Sequence, residues 1–171
     1  MNYCKAATMP AHLLDVPVQL WVELIEHLRI QGGGVRESGA FLLGYKCEGG
    51  RVVTRFLPYE QLQADALHED YVAFTAGSFA RLWELCRADG LTIVADVHTH
   101  RHGAGQSPSD RSNPMIAVAG HIAFIVPRFA QGRVHLQDLG MYVYEGSHQW
   151  VAHSGPDVQR LVRLSRDGEF K

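Results

Sequence analysis

Apolar positions along the chain recur at two periods, and the switches between them mark out the elements. Leu20, Trp21, Leu24, Ile25 and Leu28 share one face at helical spacing, which predicts a first helix with Asp15 as its cap and Pro17 in its opening turn. The run Gln31-Gly32-Gly33-Gly34 stops it. Two strands follow at about 40–47 and 51–57, with Glu48-Gly49-Gly50 as the hairpin turn. Residues 58–70 are polar and read as a loop. A second amphipathic helix is expected over 76–89, carrying Phe79, Leu82, Trp83 and Cys86 on one side and ending at Gly90. Trp21 and Trp83 are assigned to the core. Residues 91–97 form an apolar run suited to a buried central strand. A loop rich in Gly, Ser and Pro spans 101–109, and a short helix over 110–119 leads into a strand at 121–126. Further strands are expected at 134–144 and 148–152, with Gly146 in the turn, and a final helix at 156–164.

Helices mixed with strands, and hairpins near both ends, predict an α/β fold: a mixed sheet with helices packed on it. No internal repeat, low-complexity tract or linker divides the chain, so residues 1–171 are expected to be one domain with its core over about 16–152. That length is enough to bury a real core. Apolar residues make up 46% and charged residues 20%, a globular rather than disordered composition.

A formal net charge of −2 offers no field to draw in nucleic acid or an acidic membrane, and neither is expected as a partner. No stretch approaches the roughly 20 apolar residues of a membrane span. Residues 1–10 carry one Lys and no apolar run, unlike a secretory signal. Cys4, Cys47 and Cys86 are odd in number and lack a CxxC pair, which points to reduced thiols in a cytoplasmic protein.

The chain has ten histidines, and where they fall matters more than their number. His12, His27, His68, His135, His148 and His153 stand alone and read as surface or hydrogen-bonded residues. His98, His100 and His102 cluster. In a strand His98 and His100 point to one face and Thr99 to the other, so two imidazoles can hold one metal ion. Asp110 follows after a loop flexible enough to fold back. Two His and a carboxylate form a zinc set of the catalytic type, one ion per chain, with the fourth position left for water. Glu37, between a Gly run and an apolar strand, is the candidate to take that water's proton. Ser107 is the candidate to steady a developing oxyanion, and Ser109, directly before Asp110, is expected to cap the helix. Asp96 shares the face of His98, either orienting a ligand or forming an ordinary ion pair. His102 is either a solvated loop residue or a substrate contact.

Glu37-Ser38-Gly39 before an apolar strand, then His98-Thr99-His100, then Ser107-Pro108-Ser109-Asp110, resembles the JAMM metalloprotease family, also called JAB or MPN-plus. The resemblance spans about residues 16–126. It implies an MPN-type fold and a zinc isopeptidase that removes ubiquitin or ubiquitin-like proteins. By that resemblance His98, His100 and Asp110 bind zinc, Glu37 is the acid–base and Ser107 supports the oxyanion. The stretch 97–127 looks like small bacterial members encoded beside E1-like and E2-like proteins in ubiquitin-like conjugation operons, some of them antiphage defence systems. The partners implied are the C-terminal tail of a ubiquitin-like protein, as precursor or conjugate, and those E1-like and E2-like enzymes. Two departures stand out: the loop from His100 to Ser107 is one residue shorter than the family pattern, and Arg101-His102 replaces the Pro-Gly that often follows the second His. The insertions that family members use to select ubiquitin linkages are absent.

Other chemistries lack their motifs. There is no HExxH, no H-x-E with PCxxC, no P-loop and no GxGxxG. Two alternatives remain: a catalytically silent MPN-type scaffold, and a peptidase that processes sulfur-carrier precursors.

Overall fold

The computed structural model describes residues 12–166, so Cys4 and the N-terminal segment read above lie outside the described residues. In chain order the elements are β1 (Leu14–Pro17), α1 (Val18–Gly32), β2 (Gly39–Cys47), β3 (Gly50–Pro58), α2 (Tyr59–Leu62), α3 (Ala76–Asp89), β4 (Thr92–Thr99), α4 (Pro108–Ser112), β5 (Ile122–Val126), β6 (Gly140–Gly146), β7 (Gln149–Ser154), α5 (Pro156–Leu161) and β8 (Val162–Ser165). The eight strands form one mixed sheet in the order β7-β6-β5-β4-β2-β3-β1-β8. Strand β4 lies mid-sheet, antiparallel to β2 and parallel to β5.

Strand alternation builds a core on each face of this sheet. Ala40 and Leu42 of β2 join Leu24, Ile25 and Leu28 of α1, whereas Phe41 and Leu43 join Tyr59 and Leu62 of α2 and Leu82 and Cys86 of α3. Full burial of Leu24, Ile25 and Leu28 contributes roughly 1.5–3 kcal/mol each, enough to fix α1 on the sheet. Helix α1 ends as its glycines require, with Gly33 at φ 56° accepting the left-handed conformation. Helix α3 has the expected bounds, starts on a Thr75 cap that accepts from the Ser78 N–H, and stops at left-handed Gly90.

Several expectations are corrected. Asp15 does not cap α1; it sits buried in β1, ion-paired to Arg163 of β8, and α1 begins after Pro17 with no side-chain cap. The expected final helix breaks after Leu161, and residues 162–165 become strand β8, parallel to β1. Residues 58–70 are not a simple polar loop: Tyr59, Leu62, Ala66 and Leu67 are buried under α3. The helix expected over 110–119 is a single turn, because Asn113 precedes Pro114 and proline disfavours helical backbone in the residue before it. The strand expected at 134–144 starts only at Gly140, after a 3₁₀ turn at Leu136–Asp138. Trp83 is 40% exposed rather than core.

Candidate metal centre

The site forms where β2 begins and β4 ends. His98 lies in register between Gly39 of β2 and Ile125 of β5. Thr99, facing away from both imidazoles, ties the preceding loop down: its N–H donates to the Ser38 carbonyl (2.9 Å), and its Oγ1 accepts from the Ser38 N–H (3.0 Å). The Ser38 hydroxyl in turn donates to the Leu28 carbonyl of α1 (2.8 Å). Glu37 is thereby fixed beside His100. Gly39 is obligatory, since a Cβ there would lie 2.2 Å from the Tyr59 ring and 2.6 Å from the Val97 carbonyl.

Four side chains converge. The Nε2 atoms of His98 and His100 are 3.0 Å apart. Asp110 Oδ1 lies 3.4 Å from His98 Nε2, and Oδ2 lies 3.3 Å from His100 Nε2. Glu37 Oε1 is 3.7 Å from His100 Nε2. A tetrahedral ion with bonds of 2.0–2.1 Å has ligand–ligand edges of about 3.3 Å; the two Nε2 atoms lie near such an edge, and each imidazole lies near such an edge from a different oxygen of Asp110. Glu37, His98 and His100 also present ligand atoms that all lie within 4.8 Å of one another. The donor set fits zinc in type and in spacing.

Ser107 is placed differently from the expectation. It, not Ser109, caps α4: its Oγ accepts from the Asp110 N–H (3.1 Å), and its own N–H donates to Asp110 Oδ2 (2.6 Å). Pro108 in the first turn is pre-set for a helix start one residue after Ser107. Asp110 is therefore the third residue of that helix. The reciprocal cap aims its carboxylate at the imidazoles and leaves the Ser107 hydroxyl proton without an acceptor among the described residues. Ser109 is exposed.

The electrostatics follow from burial and proximity. Burial opposes ionisation of Asp110, but hydrogen bonds from His100 and His98 outweigh it and hold the carboxyl far below the usual carboxylate range. Burial also works against a charged His98, yet the Asp110 contact leaves its pKa raised. Glu37 is pushed above its ordinary value by burial, which His98 and His100 only partly offset.

Asp96 turns out to be a paired carboxylate. Its Oδ1 takes the His121 Nε2 at 2.5 Å, its Oδ2 takes the Tyr59 hydroxyl at 3.1 Å, and all three residues are buried. Asp96 and Gln106 line a cavity of about 20 Å³ beside His98, whose buried Nδ1 has no hydrogen-bond partner among the described residues. His121 and Tyr59 carry no local signal in the sequence; sheet packing alone brings them to Asp96. His102 is exposed, and its carbonyl accepts from the Arg128 N–H.

No family model matches the chain. Its fold is similar to the solution structure of a protein from Desulfitobacterium hafniense, 13% identical, with a TM-score of 0.65 over 93% of this chain and 99% of that one. It is also similar to a protein from Salinibacter ruber, 16% identical, with a TM-score of 0.59 over 92% of this chain and 94% of that one. Likeness at these identities shows the shared α/β architecture and leaves chemistry to the site itself.

Proposed function

We propose that the chain is a zinc-dependent peptidase or isopeptidase that cleaves after the C-terminal tail of a ubiquitin-like protein, in precursor maturation, deconjugation or both. One observation carries the reading: His98, His100 and Asp110 meet at the edge lengths of a tetrahedral site, with Glu37 beside them. Zinc held there would supply a Lewis acid for the scissile carbonyl and lower the pKa of a bound water to about 7. Glu37 accepts the proton of the attacking water and returns it to the leaving amine. A carboxylate whose pKa burial raises suits that two-way role. Ser107, with its hydroxyl proton uncommitted, donates to the oxygen on which charge develops.

The substrate class rests on the resemblance of Glu37-Ser38-Gly39, His98-Thr99-His100 and Ser107-x-x-Asp110 to the JAMM motif, and so does the bacterial conjugation pathway with its E1-like and E2-like enzymes. The tail would bind extended against a sheet edge, recognised by main-chain hydrogen bonds. No helix among the described residues is long and apolar enough to cross a membrane.

The test has two parts. Metal analysis of the zinc-loaded chain should find one ion per chain. Incubation with a ubiquitin-like protein that carries a C-terminal extension should give cleavage that chelator stops and zinc restores. Cleavage indifferent to chelator, or a chain that takes up no zinc, refutes the reading.

A further inference from the structure

Between β3 and α3 the chain makes a miniature hairpin that hangs over the site. Leu67 bridges Val72, the His68 N–H donates to the Tyr71 carbonyl (3.0 Å), and the Ala73 N–H donates to the Ala66 carbonyl (3.0 Å). Buried Ala66 and Leu67 root it, and the His68 and Tyr71 rings stack with centroids 4.3 Å apart. The Glu37 N–H donates to the His68 carbonyl at 3.1 Å, so the backbone of the proposed proton carrier is tied to this hairpin. Its tip is Glu69-Asp70.

Arg101, the residue after His100, reaches that tip. Its Nη2 lies 3.2 Å from Glu69 Oε1 and 3.9 Å from Asp70 Oδ1, and its guanidinium sits 5.5 Å from the centroid of the Phe129 ring. Phe129 is the middle of three successive non-glycine residues in left-handed backbone: Arg128 at φ 56°, Phe129 at 50° and Ala130 at 59°. Residues with a Cβ resist that conformation, so something must hold it. The Phe129 ring is buried, and Arg29 of α1 donates to the Ala130 carbonyl (3.0 Å) and the Gly132 carbonyl (2.9 Å). The turn in turn donates from Phe129 N–H to the His100 carbonyl (2.8 Å) and from Arg128 N–H to the His102 carbonyl (3.3 Å). Both carbonyls flanking Arg101 are thus gripped by the strained turn.

We propose that Arg101 is a positioning residue: braced on Phe129, it straps the Glu69-Asp70 tip across the mouth of the site and holds Glu37 in place against the His98–His100–Asp110 cluster. The inference rests on reading that cluster as the centre of a metal peptidase. The strap is weak by construction. Its side chains are 45%, 73% and 79% exposed, and exposed ion pairs are screened by salt and hold loosely, so an entering tail can lift the tip.

The test measures hydrogen exchange at the Glu37, His68 and Ala73 amides, together with steady-state kinetics, on the zinc-loaded full chain. Arg101→Gln should speed exchange at these amides roughly two- to fivefold, the scale of one exposed ion pair. It should lower kcat by a similar factor, keep KM and retain one zinc per chain. The reversed pair, Arg101→Glu with Glu69→Arg, re-forms the 101–69 ion pair without the Phe129 brace or the Asp70 contact and should restore both readouts in part. Raising salt to about 0.5 M should speed exchange in the wild type and not in Arg101→Gln. Unchanged exchange in Arg101→Gln overturns the strap. A lowered KM in that variant also overturns it, because it would mean that Glu69 and Asp70 await a cationic group of the substrate. Exchange needs no turnover, so a chain devoid of peptidase activity sinks the metal-peptidase reading while the amides still judge the strap.

Discussion

Replacing Ser107 separates the capping role that its hydroxyl has in the structure from the oxyanion role proposed for it. As a cap, its Oγ accepts from the Asp110 N–H at 3.1 Å; losing that to alanine costs about 1 kcal/mol. For a domain of this size the loss lowers the melting temperature by about 2–4 °C. As an oxyanion donor, the same hydroxyl contributes about 10²–10³ in kcat. Asp110 should nevertheless keep its aim, because the backbone N–H of residue 107 still donates to Oδ2 (2.6 Å) whatever the side chain. Ser107→Ala should therefore lose both turnover and stability and still bind zinc. Ser107→Gly has neither a hydroxyl nor any other side-chain donor, and glycine is tolerated at an N-cap at a loss of only a few tenths of a kcal/mol, so it should melt near the wild type and turn over as slowly as the alanine variant. Ser107→Thr should retain most of both. Thermal melts, metal analysis and kcat on the three variants decide the matter. Wild-type turnover by Ser107→Gly would refute the oxyanion role, and an unshifted melt for Ser107→Ala would refute the cap.

Three more outcomes follow from the same geometry. His98→Ala, His100→Ala and Asp110→Ala should each lose zinc and activity; full activity in any one, measured beside its metal content, refutes that residue as a ligand. Glu37→Gln should keep zinc and fold while turnover drops by about 10²-fold or more, and loss of zinc instead would make Glu37 a ligand. Tyr59→Phe leaves Asp96 Oδ2 without its hydroxyl partner in a buried setting and should cost about 1–3 kcal/mol by denaturant titration. Burial, with Asp96 nearby, pushes the Tyr59 pKa well above its ordinary 10, so its stabilisation is complete below pH 10 and is lost as pH rises towards the folded value. The alkaline loss of stability should accordingly be shallower in Tyr59→Phe than in the wild type.

Features set by neighbours in the chain were legible in advance. Helix α3 declares itself through Leu82 and Cys86 one turn apart and a glycine at its end, and the β2–β3 hairpin through its Gly pair. The pairing of His98 with His100 follows from strand alternation alone. A capping box is equally local, yet adjacency to Asp110 suggested Ser109, while Pro108 moves the helix start forward and hands the cap to Ser107.

What depends on register across the sheet had no such signature. Asp15 reads as a helix cap until β8 returns beside β1 and brings Arg163 to it from 148 residues away. A four-residue strand such as β8 is too short for its period to show, and only its partner makes it a strand. Tyr59, Asp96 and His121 come from three separate segments, and Arg101 meets Glu69 and Phe129 only after the chain has closed around the site. The sequence by itself determined the donor types, their order and the strand that presents two of them. The tertiary structure decided which carboxylate faces the imidazoles and which pairs elsewhere, because buried charge is stable only where a partner reaches it, and partners from distant segments are chosen by packing.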